Sequence, residues 1–415
     1  MHICIFQTGE PLHIDKGDYR PMRCILLADE LVEKGHKVTI ISSAFFHQRK
    51  IHRANTFKKI EIHKNLSIHL IPSLGYKKHI GIMRILDHLL LAYNLNTFLK
   101  KRKGFNPDKI FLGFPPIFTS FIFVKWANKK NIPLILDVKD KWPEIFIEPF
   151  PSFIKPGVRF LLEPYFFITK YTFRKSNKIT SITKAYINWI KGFISDFSND
   201  DKYFVSSLTR KNFTLSKNQH LEGLEFWRNH GISLMDEKYL CFVGTYSKSF
   251  NFNIILKIAS KLEQKFPDIK LILCGSGDQH KNLRDMFCQS QNVLILGEIN
   301  KNNAKLLVSN SIATLAPYMN NSNFRDHIPN KVIESLENGK PFITSVEGTL
   351  EEMIKSNNNG IFIKDAKNIN IKNIEKLIED RYYRRTLENN SRKSYKDMFD
   401  FNKTYNDIVN NLLTL

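Results

Sequence analysis

Two acids, Asp326 and Glu334, flank the start of a short helix with seven residues between them. Pro329 suits a first helical turn, and Gly339-Lys340-Pro341 reads as a helix stop followed by a strand, so the spacing predicts a helix from Pro329 to Asn338. The first turn of such a helix presents backbone N–H groups without intrahelical partners at the positive end of the helix dipole. Both features favour an anion such as a diphosphate. Arg325, Asn330 and Lys331 lie at the same end. Carboxylates on either side accept hydrogen bonds from sugar and ribose hydroxyls while the helix end holds phosphate. The competing use is structural, an acidic loop and a solvated helix face.

Further candidates follow apolar runs that read as strands. Gly244 ends the run Tyr239 to Val243, with Lys248 four residues on, and Gly275 ends the run Lys270 to Cys274. In the first half, Gly9 follows the run His2 to Phe6, where a glycine permits close approach of the backbone to a ligand. Asp140 lies in Asp137-Val138-Lys139-Asp140-Lys141-Trp142-Pro143-Glu144, directly after the run Pro133 to Val138; it either faces a ligand or caps the helix that follows. None of the glycines belongs to a Gly-x-Gly-x-x-Gly fingerprint, and no serine sits in a Gly-x-Ser-x-Gly elbow. The histidines, including His13, His47 and His327, have no metal-ligand spacing with cysteines or acids.

These residues need strands to present them. Nearly continuous apolar runs at His2–Phe6, Lys37–Ile41, Lys109–Gly113, Pro133–Val138 and Lys178–Thr183 alternate with helix-length segments. That is the pattern of parallel strands covered by helices on both faces. A polar, Asn-bearing stretch interrupts the rhythm, after which Tyr239–Gly244 opens a second series continued at Lys270–Gly275, Asn292–Gly297, Ile312–Pro317 and Pro341–Ser345. With 415 residues, two domains of roughly 200 residues are expected. The fold class is therefore α/β, two doubly wound Rossmann-like domains facing across a cleft, with ligands beyond the carboxyl ends of the strands.

Composition narrows the function. A hydrophobic fraction of 42% with 12% aromatics is that of a globular chain. The five cysteines are scattered and odd in number, which argues against a disulfide framework or a zinc site. The first residues lack the basic and apolar regions of a signal peptide, and no stretch of ~20 predominantly apolar residues offers a membrane span. A cytoplasmic location follows as the expectation. The net charge of +22 favours anionic partners.

With these motifs in hand, the sequence resembles the family 4 glycosyltransferases of the glycosyltransferase-B fold, whose signature is a pair of acids separated by seven residues. Asp326 and Glu334 match the spacing, with Asp where the family usually has Glu; Asn330-Lys331 and Gly339-Lys340-Pro341 are similar to the pattern around it. Phe242-Val243-Gly244, Leu273-Cys274-Gly275-Ser276-Gly277 and Leu315-Ala316-Pro317-Tyr318 extend the likeness, although Thr245 stands where many relatives have Arg. The stretch Asp137 to Pro143 resembles one in relatives that build bacterial surface polysaccharides; Lys139 takes a position where many others have His.

The resemblance implies a retaining, metal-independent transfer from a nucleotide sugar, most simply a UDP-sugar, with no cofactor beyond that donor. Glu334 would hold the donor ribose and Asp326 the sugar ring; Gly9, Gly244, Lys248, Gly275, Arg325, Asn330 and Lys331 would line the phosphates, and Asp140 would face the acceptor. The implied organisation is an acceptor-side Rossmann-like domain over 1–205, a linker over 206–237, a nucleotide-sugar domain over 238–385, and a C-terminal helical segment over 386–415 packing back on the first domain. A lipid-linked or saccharide acceptor in lipopolysaccharide, O-antigen or capsule assembly is implied in turn. An epimerase of the same architecture is the alternative within enzymes. A nucleic-acid-binding role has only the charge behind it, since no helix-turn-helix, zinc-finger or RNP-type pattern is present.

Two basic, aromatic stretches bear on location. Tyr76 to Lys103 spaces Ile82, Leu86, Leu89 and Tyr93 along one helical face among Lys77, Lys78, Arg84, Lys100, Lys101, Arg102 and Lys103. Phe153 to Lys175 mixes Phe160, Leu161, Phe166, Phe167 and Tyr171 with five cations. Either covers a sheet or leans on an anionic membrane surface, which would make the protein peripheral on the inner face of the cytoplasmic membrane.

Overall fold

The computed structural model describes all residues except 18, 78–80, 103, 198–199 and 365–367. Lys78 and Lys103 of the first basic stretch thus lie outside the described residues. The chain divides into two compact units, Met1–Arg210 with Asn402–Leu415, and Lys211–Phe401.

The first unit contains strands β1 (His2–Phe6), β2 (Lys37–Ser43), β3 (Phe45–Phe46), β4 (Ile51–His52), β5 (Lys58–His63), β6 (Leu66–Ile71), β7 (Lys109–Phe114), β8 (Leu134–Val138), β9 (Lys178–Ser181) and β10 (Tyr203–Val205). Its helices before the second unit are α1 (Arg23–Glu33), α2 (Ile82–Lys101), α3 (Ile117–Lys130), α4 (Lys155–Leu161), α5 (Glu163–Lys175) and α6 (Lys184–Ile194). Eight strands form one sheet in the order β10-β9-β8-β7-β1-β2-β6-β5, parallel except for β5. β1 is apolar on both faces because helices cover both: Ile3 to Phe6 are buried, as a central parallel strand requires. The chain leaves β1 to pair with β2 on one side, and β7 later pairs on the other. The reversal opens a crevice at the carboxyl ends of β1 and β7, where ligands of such sheets bind.

The second unit begins with α7 (Lys217–Asn229) and continues with β11 (Tyr239–Val243), α8 (Phe252–Lys265), β12 (Lys270–Cys274), α9 (His280–Met286), β13 (Val293–Leu296), α10 (Lys301–Asn310) and β14 (Ala313–Leu315). It ends with α11 (Ser322–Arg325), α12 (Asn330–Glu337), β15 (Phe342–Thr344), α13 (Thr349–Asn357), β16 (Gly360–Phe362), α14 (Lys372–Glu379) and α15 (Arg381–Met398). The strand order β13-β12-β11-β14-β15-β16, all parallel, is that of the doubly wound dinucleotide fold, with its switch point between β11 and β14. Both units are Rossmann-like.

The structure differs from the sequence reading at the linker. Residues 211–237 belong to the second unit, because α7 is anchored there: Trp227 is fully buried and donates its indole N–H to the Asn303 carbonyl at 3.2 Å. A Cβ on Gly223 would lie 2.1 Å from Leu306 Cδ1, so a larger residue there would push the Leu306 side chain out of the α7–α10 contact. The C-terminal segment also divides: α15 stays with the second unit, while 402–415, most of the last helix α16 (Phe401–Leu413), joins the first. There Lys178 Nζ donates to Asn411 Oδ1 at 2.8 Å.

Candidate active site

In the second unit the sequence candidates converge on the switch point. The turn after β11 and the turn after β12 are knitted by backbone bonds, Gly244 N–H to the Cys274 carbonyl at 2.8 Å and Tyr246 N–H to the Ser276 carbonyl at 2.9 Å. Gly244 and Gly275 have φ of +154° and +156°, and a Cβ on Gly275 would meet the Gly244 carbonyl oxygen at 1.7 Å. Only glycine allows both the conformation and the approach.

Lys331, in the first turn of α12, reaches this turn. Its ammonium donates to the Val243 carbonyl and lies 5.0 Å from the Phe242 ring centroid and 5.6 Å from that of Phe250. A positive charge is thereby held at the carboxyl end of β11, beside the start of α12. Pro329 is the residue before the first helical one, with extended ψ of 152°, one position earlier than its predicted place inside the helix. No side chain caps that end. Glu334 sits one turn along α12, and Asp326 follows α11, so both half-buried acids stay with the helix start. Ser335 fixes the helix on the sheet: its hydroxyl accepts from Thr314 Oγ1 at 2.7 Å and donates to the Lys340 carbonyl at 2.8 Å. The helix ends at Glu337, with Asn338 as its C-cap and Gly339 next at φ +65°.

The two remaining cations stand differently. Arg325 pairs with Glu347 at 2.7 Å and donates to Asn320 Oδ1 at 3.0 Å, half exposed. Lys248 is exposed in the loop after β11. His327, next to Asp326, is pulled down to about 4 by burial, so its imidazole is neutral at pH 7.

The first unit carries a second site. A pocket of about 230 Å³ opens at the carboxyl ends of β1, β7 and β8, and Gly9, Glu10, Lys139, Asp140, Arg84 and Trp142 are among its lining. Glu10 and Lys139 of its lining belong to a charge network that the sequence did not reveal. Arg23 donates to Asp137 Oδ1 at 2.6 Å and to the Ser206 carbonyl at 2.6 Å, and Lys139 pairs with Glu10 and, at 3.3 Å, with Asp137. Two cations face two carboxylates, which is what permits burying them. Burial pulls Lys139 down, but its ion pairs with Glu10 and Asp137 outweigh this and hold it above the ordinary lysine value. Lys139 therefore bridges the two acids as the second cation of the network.

Asp140 points its chemistry into the pocket. Burial raises its carboxyl above the usual range, against partial relief from Lys139 and Arg84. The structural alternative is not used, since the 3₁₀ turn Glu144–Phe146 starts after Pro143 without a side-chain cap. Arg84 stacks its guanidinium over Trp142 at 5.1 Å and over Tyr76 at 5.7 Å, and Tyr76 Oη lies 2.6 Å from His47 Nδ1. These aromatic and basic neighbours come from three separate segments, so spacing alone had no means of joining them.

Comparison with known proteins follows the same division. Residues 225–394 match the family described as glycosyl transferases group 1. An uncharacterised glycosyltransferase of Methanocaldococcus jannaschii is 26% identical over 195 residues, 46% of this chain and 48% of that protein, so the match spans about half of the relative's length. Sucrose-phosphate synthase from Thermosynechococcus elongatus superposes with a TM-score of 0.69 at 13% identity, over 99% of this chain and 97% of that one. Anabaena HepE in complex with UDP-glucose superposes with a TM-score of 0.61 at 14% identity over all of both chains. The chain thus has the glycosyltransferase-B fold, and residues 225–394, inside its second unit, match the group 1 glycosyl transferases.

Proposed function

We propose that the protein is a glycosyltransferase that moves a sugar from a nucleotide-sugar donor, a UDP-sugar, to a lipid-linked or saccharide acceptor, retaining anomeric configuration and using no metal. The observation that carries this reading is the convergence of Gly244, Gly275, Lys331 and the uncapped start of α12 at the switch point of a sheet whose segment matches the group 1 glycosyl transferases. Backbone N–H groups, the helix dipole and the Lys331 charge would receive the diphosphate, with Asn330 beside them and Arg325 and Lys248 further out. Glu334 would accept hydrogen bonds from the ribose and Asp326 from the transferred sugar. As the bond from the anomeric carbon to the diphosphate oxygen breaks, the same cationic helix end stabilises the charge left on the diphosphate. The anomeric carbon bonds to the acceptor oxygen, whose proton passes to the departing diphosphate or to a base. HepE, of the same fold, was solved with UDP-glucose, which supports the choice of nucleotide.

On the acceptor side, Gly9 and Asp140 line the pocket of the first unit. Burial raises the Asp140 carboxyl above its ordinary range, which makes it a stronger base toward an acceptor hydroxyl than an exposed aspartate. The deciding experiment is product analysis with UDP-sugars with and without acceptor, for wild type and Glu334→Gln. Transfer lost in the variant while its thermal unfolding is unchanged supports the reading. Conversion of donor alone into another nucleotide sugar would make the protein an epimerase instead, and full activity in Glu334→Gln removes the donor site as drawn. Transfer abolished by EDTA would overturn metal independence.

The reading places the protein peripherally on the inner face of the cytoplasmic membrane, in surface-polysaccharide assembly. No helix among the described residues is long and apolar enough to cross a membrane. Support for a surface contact comes from α2: its sheet-facing residues are Leu91, Leu95, Phe98 and Leu99, whereas Ile82, Leu86, Leu89 and Tyr93 are exposed. The spacing that fits covering the sheet is thus the outward face. Phe153, Phe160, Leu161 and Phe167, also exposed, add to it beside Lys155 and Arg159. Each cation near an anionic leaflet contributes about 1 kcal/mol. Co-sedimentation with vesicles should require acidic lipid and fall with salt; equal binding to neutral vesicles would refute it.

A further inference from the structure

A second cavity lies against the pocket that holds Asp140. Its volume is about 370 Å³, and it opens to the surface between α2, the start of α3, the segment after Trp142, and α4 and α5. Its lining is apolar, including Ile85, Phe118, Phe146, Val158, Leu162 and Tyr165. Arg84, His88 and Trp142 line both spaces, so the polar pocket and the apolar cavity share one wall.

A soluble polar acceptor has no use for such a chamber. An open apolar pocket of this size leaves hydrocarbon walls against water, and an apolar ligand that covers them removes that surface from water. Nor does a peptide fit well, because its backbone N–H and C=O groups would lack partners among these side chains. Hydrocarbon meets neither objection. The mouth is marked by Ile82, 75% exposed, with Phe150 also lining it, and Phe160, 79% exposed, stands on the adjoining α4. A chain entering from a lipid surface would stay in apolar contact along this path.

The shared wall supplies the other half of the argument. Arg84 is a cation braced over Trp142, at the line where apolar lining gives way to the carboxylates and Lys139 of the polar pocket. Burial and the neighbouring Arg84 lower His88 to about 3, so it stays neutral and adds no charge beside the hydrocarbon. An amphiphile with an anionic linkage would therefore lie with its chain among Ile85, Phe118 and Val158, its phosphate at Arg84, and its hydroxyl head toward Asp140.

We propose that this cavity is the seat of the hydrocarbon chain of the acceptor, so that the acceptor is a lipid-linked phosphate amphiphile rather than a free saccharide. This rests on the glycosyltransferase reading of the two units. Taking about 30 Å³ per methylene, the size of a water, the chamber holds on the order of a dozen carbons.

The test is a series of n-alkyl phosphates from butyl to hexadecyl, each below its micelle concentration, titrated calorimetrically into the full-length protein. Affinity should rise about fourfold per methylene and level off near a dozen carbons. Val158→Trp, which fills the chamber, should bring the plateau to shorter chains; Phe118→Ala, which enlarges it, should move the plateau to longer ones. A flat series, or one that both variants leave unchanged, overturns the proposal. Chain-dependent binding with transfer to alkyl glycosides that ignores chain length overturns it too, since the chamber would then hold bulk membrane lipid. UDP-induced thermal stabilisation, measured on the same samples, separates the two readings: its absence would break the donor site, while its presence beside a flat series breaks the lipid seat alone.

Discussion

Gly244→Ala tests the proposed donor site at one atom. A Cβ there would lie 1.4 Å from Lys331 Nζ and 2.3 Å from Cε, in space that the ammonium occupies while it donates to the Val243 carbonyl. The obstacle is the tip of a flexible side chain, so relief comes from swinging Lys331 away while the backbone stays. The variant forfeits a charge-assisted hydrogen bond, about 1.5–3 kcal/mol, and strains an alanine at φ +154°, about 1–3 kcal/mol. Domains of this size have about 5–15 kcal/mol in hand, so the second unit should stay folded with a lowered melting temperature. UDP binding loses the positioned cation, and a contact of that strength corresponds to about 10–100-fold in Kd. Calorimetry with UDP on wild type, Gly244→Ala and Lys331→Met should place the two variants together. Gly275→Ala is the contrast, since its Cβ meets the Gly244 carbonyl at 1.7 Å and backbone must move, so this variant should be the less stable. A folded Gly244→Ala that binds UDP within twofold of wild type would refute the role given to Lys331.

Two further predictions concern the first unit. Asp137→Ala leaves the buried Arg23 and Lys139 without their shared carboxylate and should destabilise the protein by about 3–5 kcal/mol in urea unfolding, with Arg23→Met/Asp137→Leu recovering part of it; a loss below about 1 kcal/mol would show that the network is not needed for folding. Glu144 is raised from 4.5 to about 6, by burial first, with the Trp189 hydrogen bond, Lys141 and Arg159 offsetting only part. Because the folded state favours the protonated acid, this group's contribution is present below pH 4.5 and is lost as pH rises through 6. Glu144→Gln, neutral throughout, should therefore gain about 1–2 kcal/mol over wild type between pH 4.5 and 7. Parallel urea midpoints for the two proteins across that range would contradict it.

Most strands visible in the sequence are those that burial makes continuously apolar; β6 is buried throughout but not legible, because Ser67 and His69 interrupt its apolar run, and the part-buried edge strand β13 is legible. β1, β7, β8, β11 and β12 lie in sheet centres with helices on both faces, and their sequences need no partner to be recognised. β5 escaped notice because it is an exposed antiparallel edge of alternating charge, Lys58-Lys59-Ile60-Glu61-Ile62-His63. β16 escaped because three residues carry no period. At α7 the evidence was present but outweighed: Ser216 and Gln219 form a capping box, yet the polar composition of 206–237 read as linker. One indole and one glycine decide that segment's place, and neither weighs much in a composition.

The site divides along the same line. Asp326, Asn330, Lys331, Glu334 and Gly339 are neighbours in sequence, and a helix of fixed rise makes their arrangement local, so the sequence alone determined that a helix start carries two acids and a lysine. That Lys331 reaches back 88 residues to the Val243 carbonyl, or that Gly9, Arg84 and Asp140 line one pocket, depends on which strands lie side by side. Strand order is chosen by the packing of whole faces rather than by any one segment's preference. The tertiary structure alone decided the Glu10, Arg23, Asp137 and Lys139 network and the apolar chamber beside it, because a buried charge is affordable only with its partner and a cavity exists only between elements.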